Sequence, residues 1–167
     1  MYLRYREPSW EAGEAVARHP RRRGADDIAA AGRQPDPTGL GIGGKPLPLV
    51  DLLGIKLHAI TELDCIRYVL GQMDRGRGGV LVTPNLDHLR RYLCDVNFGA
   101  LVAEADLVVA DGMPLVWASR LQGTPLPERV AGSNLISTLS AAAAERGRSI
   151  FLLGGSAGTA EGAAQVL

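Results

Sequence analysis

Three side chains stand where sheet-edge chemistry is done: Thr83, Asp111 and Arg129. Asp111 closes the apolar run Leu107-Val108-Val109-Ala110 and is followed by Gly112 and Pro114. That order reads as a strand, a terminal acid, a glycine that frees the turn and a proline that opens a helix. A carboxylate at the C-terminal edge of a parallel strand lies where open α/β sheets bind ligands. It can act as a general base, with Gly112 leaving space for a substrate. The same spacing suits an N-cap for the Pro114 helix or a plain turn acid.

Thr83-Pro84-Asn85 ends an earlier strand and brings a hydroxyl and an amide to that sheet edge. Asn85 equally suits the cap of the following helix. Arg129 follows Pro127-Glu128 in a loop. Its guanidinium can clamp a diphosphate in two places, or simply pair with Glu128. Gly154, Gly155 and Ser156 lie between an apolar run and a helix, so their N–H groups could meet phosphate or form a tight turn only. His58 and His88 read as packed or surface residues. No carboxylate or imidazole cluster has metal-ligand spacing, so no divalent metal site and no cofactor is expected.

The elements that must position these groups alternate. Strands are expected at 49–53, 55–60, 79–83, 106–110 and 149–153. Helices are expected from Thr61 to about Gly76, then at 86–94, 97–104, 114–121 and 132–145, and from Thr159 onward. Thr61 to Asp64 resembles a capping box, and Ser133 suits the cap of the fifth helix. The alternation predicts an α/β fold: a Rossmann-like, mainly parallel sheet with helices on both faces. The last helix has no stop signal, so the chain is expected to end within an element.

The first 46 residues differ in kind. Arg21-Arg22-Arg23, Asp26-Asp27, Pro35-Asp36-Pro37 and a glycine-rich stretch show no periodicity, which predicts a disordered or weakly ordered extension before a domain at 47–167. The arginine triplet reads as a solvated tail, with contact to anionic lipid or nucleic acid as the alternative. Gly41 to Lys45 lacks the strand, helix and spacing of a phosphate loop.

Across all 167 residues, 18 basic and 18 acidic side chains balance, so no global field points to nucleic acid. Cys65 and Cys94 fall in helical, apolar settings and predict buried free thiols in a reducing, cytoplasmic compartment. No uncharged apolar run reaches the roughly 20 residues of a membrane span.

Four segments in order resemble the WecG/TagA/CpsF glycosyltransferases. They are Thr83-Pro84-Asn85-Leu86-Asp87, Ala105 to Trp117, Leu126 to Ser133, and Phe151-Leu152-Leu153-Gly154-Gly155. The resemblance spans about Leu47 to Leu167. It implies inverting, metal-independent transfer of N-acetylmannosamine, its uronic acid or a related hexose from a UDP-sugar. The implied acceptor is an undecaprenyl-diphosphate-linked sugar at the inner face of the cell membrane, in teichoic acid or exopolysaccharide synthesis. It places the family's base on Asp111, its strand-end threonine on Thr83 and its motif arginine on Arg129. Asn85, Gly112, Gly154, Gly155 and Ser156 would then bind substrate. Peripheral membrane contact and a homo-oligomer are also implied. Family members continue beyond the point matching Leu167, so a C-terminal part of the family fold is expected to be missing. The competing reading is a non-catalytic nucleotide-binding fragment of such an enzyme. A nicotinamide dehydrogenase is disfavoured, because no GxGxxG follows the first strand.

Overall fold

The computed structural model describes residues 2–3, 42 and 45–167. Most of the expected N-terminal extension therefore lies outside the described residues. Tyr2–Leu3 forms a short strand, β1.

The domain begins with β2 (Leu49–Leu52) and β3 (Ile55–His58), which pair antiparallel with Leu52 opposite Ile55. Leu53 and Gly54 join them at φ 55° and 88°. Two successive left-handed residues make the turn whose twist suits a two-residue hairpin. Asp51 Oδ1 accepts the Gly54 N–H at 2.9 Å and holds the turn. This hairpin forms its own two-stranded sheet, which corrects the expectation of a mainly parallel arrangement. The parallel pair is β4 (Gly79–Val82) with β5 (Leu107–Val108), Leu81 opposite Leu107 and Val82 opposite Val108. β1 adds to the other edge of β4, antiparallel.

Six helices surround these strands among the described residues. They are α1 (Glu62–Asp74), α2 (Leu86–Cys94), α3 (Val96–Ala103), α4 (Met113–Leu121), α5 (Gly132–Ala144) and α6 (Thr159–Val166). Successive residues around β5 feed two separate cores. Leu107 and Val109 join Leu81, Cys65 and Leu70 of α1, and Leu135 and Leu139 of α5. Val108 and Ala110 join the hairpin's Val50, Leu52, Ile55 and Leu57, with Leu89, Val102 and Leu115 from α2, α3 and α4. The strand's period of two thus buries both faces, as expected of a strand covered on two sides.

Both ends of α1 are also tied to α5 or to the turn that follows it. Thr138 Oγ1 donates to Glu62 Oε1 at 2.7 Å, and Arg146 Nη1 meets Asp74 Oδ2 at 2.7 Å. Thr61 caps α1 by accepting the Asp64 N–H at 3.2 Å, but its hydroxyl donates to Asp64 Oδ2, so the box is only half formed. Asn85 and His88 form a complete capping box at α2.

Three further expectations change. Residues 149–153 form no strand; Phe151 and Leu153 are exposed while Ile150 and Leu152 are half-buried. The alternation of a strand is there, but the segment pairs with no described strand. The N-cap of α5 is Ala131, with Ser133 inside the helix. Cys94 is exposed, whereas Cys65 is buried as expected.

Candidate active site

The C-terminal ends of β4 and β5 lie side by side, and the backbone continues their ladder outward. Val109 N–H donates to Val82 O at 3.0 Å, and Asp111 N–H donates to Pro84 O at 2.8 Å. This brings the residues after both strands to one edge. A third segment joins them, because Val130 N–H donates to Ala110 O at 2.9 Å. The chain from Arg129 to Gly132 therefore runs alongside the end of β5.

Asp111 is half-buried, and its Oδ2 accepts the Gly132 N–H at 3.2 Å. That N–H is one of the orphan donors at the start of α5, which has no side-chain cap of its own. The carboxylate thus sits at a helix N-terminus, where negative charge is favoured. It caps α5 rather than the Pro114 helix; α4 starts at Gly112 without a side-chain cap.

Thr83 faces the same glycine. A Cβ placed on Gly132 would lie 2.8 Å from Thr83 Oγ1 and 3.8 Å from Asp111 Oδ2. Only a residue without a side chain lets the strand-end hydroxyl and carboxylate share this corner. Gly112 stands near Asn85, its virtual Cβ 4.0 Å from Asn85 Cβ. Asn85 Oδ1 is committed to the α2 cap, accepting the His88 N–H at 3.0 Å.

The structure thus gathers Thr83, Asp111, Asn85 and Gly112, and adds Gly132. Arg129 is exposed and makes no ion pair among the described residues. Its neighbour Glu128 instead accepts the Glu62 N–H at 2.5 Å and caps α1, so the surface pair expected as the alternative does not form. Gly154, Gly155 and Ser156 are exposed. Gly155 approaches Thr159 of α6, and no hydrogen bond among the described residues joins this turn to Thr83 or Asp111.

Two residues support the site: His58, packed as one of its two expected readings has it, and Ser119, which the sequence reading does not single out. His58 Nδ1 accepts the Val108 N–H at 3.0 Å, so an imidazole stands where another strand would pair with β5. Burial lowers the His58 pKa from 6.5; the Val108 carbonyl oxygen, 3.3 Å from Nδ1, opposes this in part because it favours the protonated ring. Ser119, fully buried in α4, donates to Val116 O at 2.8 Å and accepts the Leu126 N–H at 3.0 Å. It pins the loop that leads to Arg129. No local pattern signals either contact, since each joins residues brought together only by folding.

With this geometry in place, the model of the "Glycosyl transferase WecG/TagA/CpsF family" matches residues 50–167. The chain belongs to this family. The span matching the WecG/TagA/CpsF family contains every residue of the corner described above. The chain is also 29% identical over 110 residues to an N-acetylglucosaminyldiphosphoundecaprenol N-acetyl-beta-D-mannosaminyltransferase of Bacillus spizizenii. That alignment covers 66% of this chain and 41% of the relative, so the chain spans about two fifths of that WecG/TagA/CpsF protein's length. Among the described residues no helix is long and apolar enough to cross a membrane.

Proposed function

We propose that this chain carries the base-bearing half of an inverting, metal-independent glycosyltransferase with a Rossmann-like sheet. It would move N-acetylmannosamine or a related hexose from a UDP-sugar to a sugar on a polyprenyl diphosphate. The single observation that carries this is the corner where Asp111, Thr83 and Gly132 converge.

The chemistry follows from that corner. Oδ2 of Asp111 is anchored by the Gly132 N–H, which leaves Oδ1 to take the proton of the acceptor hydroxyl. The acceptor oxygen then bonds to the anomeric carbon from the face opposite the donor phosphate. The carbon–phosphate-oxygen bond breaks, and UDP leaves with its electron pair. Thr83 orients a hydroxyl beside the base. Arg129, exposed and free of ion pairs among the described residues, answers the charge growing on the diphosphate. Gly154, Gly155 and Ser156 would add backbone donors there. The acceptor's lipid implies peripheral contact with the inner face of the cell membrane.

Asp111→Asn tests this assignment. It keeps an oxygen for the Gly132 N–H but removes the base, so transfer should be lost while UDP-sugar binding stays. Unchanged turnover would refute the role of Asp111. A wild-type chain that binds UDP without transferring sugar would favour the nucleotide-binding fragment instead.

A further inference from the structure

Beside the start of α2 lies a cavity of about 270 Å³, bounded by Val80, Val82, Thr83, His88, Gly132 and Leu135. Its side-chain walls are aliphatic apart from the Thr83 hydroxyl and the His88 ring. Asp111 accepts the N–H of Gly132, one of the cavity's lining residues.

The capping box settles the chemistry of His88. Asn85 N–H donates to His88 Nδ1 at 3.3 Å. A backbone N–H can only donate, so Nδ1 is the bare nitrogen and the neutral ring carries its proton on Nε2. The ring also stacks on Phe98, centroids 5.8 Å apart and planes 12° from parallel. Arg91 lies 4.7 Å over that same Phe98 ring. Orientation and tautomer are fixed before any ligand arrives. Among the described residues Nε2 has no hydrogen-bond partner.

Drug-sized ligands occupy roughly 300–1,000 Å³. The cavity is smaller, so it suits one sugar ring rather than a whole sugar nucleotide. Resting on the glycosyltransferase reading, we propose that it seats an N-acetylated sugar. The acetyl methyl packs against Val80 and Val82, and its carbonyl oxygen accepts from His88 Nε2–H. The name of the Bacillus spizizenii relative contains two such sugars, one transferred and one in the acceptor. Either could supply the group.

His88→Gln and His88→Glu test the proposal. Gln and Glu are the usual partners at this position of a capping box, so α2 keeps its cap, and unchanged melting confirms the fold. Glu has no N–H to offer. Calorimetric titration compares UDP-N-acetylmannosamine with UDP-mannose, and N-acetylglucosaminyl diphosphate with glucosyl diphosphate. The wild type should prefer the N-acetyl partner of one pair by about five- to tenfold, the size of one neutral hydrogen bond. The Glu variant should erase that preference, and the Gln variant should weaken it. Erasure in the first pair assigns the cavity to the donor sugar, and in the second pair to the acceptor sugar. A folded Glu variant that keeps the wild-type preference overturns the inference. Wild-type binding of UDP with no N-acetyl preference also overturns it, leaving the enzyme reading intact. If the wild type binds neither UDP nor any of the sugars, both fall together.

Discussion

Asp111 and Gly132, 21 residues apart, meet through a 3.2 Å hydrogen bond from the glycine N–H to the aspartate Oδ2. One contact thereby fixes the proposed base and starts α5. It also explains why a glycine stands at the first position of that helix, where Thr83 Oγ1 would collide with any side chain.

Gly132→Ala should therefore be costly. Its Cβ would sit 2.8 Å from Thr83 Oγ1, a β-branched side chain with little freedom to rotate. Overpacking of this kind costs about 1–3 kcal/mol. Adding Thr83→Ala removes the colliding oxygen, so urea denaturation should show the double variant recovering most of that loss. Transfer activity should not recover, because the hydroxyl is gone.

Ser119→Ala should destabilise the protein by about 1–3 kcal/mol, although it deletes a single oxygen. The Leu126 N–H would be left buried without its acceptor. A thermal melt reads the loss. A surface serine such as Ser133 gives the contrast, and its change to alanine should be nearly silent.

His58 should make stability fall with acid. Burial lowers its folded pKa below the 6.5 of an exposed imidazole. The unfolded chain thus binds the proton more readily, and stability is present above pH 6.5. It is lost as pH falls through the lowered folded value. Protonated Nδ1 can no longer accept the Val108 N–H. Melting temperatures between pH 7 and pH 5 should drop less steeply for His58→Gln than for the wild type. Parallel curves would remove His58 as the cause.

The two cysteines should differ in reactivity. Burial, with Glu62 nearby as a lesser cause, pushes the Cys65 thiol up to about 12, while Cys94 is exposed. A disulfide reagent at pH 8 should titrate one thiol quickly in the native protein. The second should react only after denaturation, and two fast thiols would contradict this packing.

Much was legible in the chain itself. The strand before Asp111, the helix after Pro114 and the cap at Asn85 are written in local periodicity and cap chemistry, which act over a few residues. For that reason the six helices and the parallel pair fall close to where the spacing puts them. The hairpin sheet was read as two strands but not as antiparallel, because Leu53-Gly54 lacks the usual Asn-Gly or Asp-Gly signal. Residues 149–153 carry the right alternation for a strand, yet alternation specifies a face and not a partner.

By itself, then, the sequence determined which segments are helical, which residues sit at the strand ends, and which acid, hydroxyl and guanidinium are available there. Tertiary structure alone decided that Asp111 caps α5, that Glu128 turns to α1 and leaves Arg129 unpaired among the described residues, and that His58 closes the edge of β5. These contacts span 21, 66 and 50 residues. A hydrogen bond of that reach depends on how whole layers pack, and no neighbour in the chain announces it.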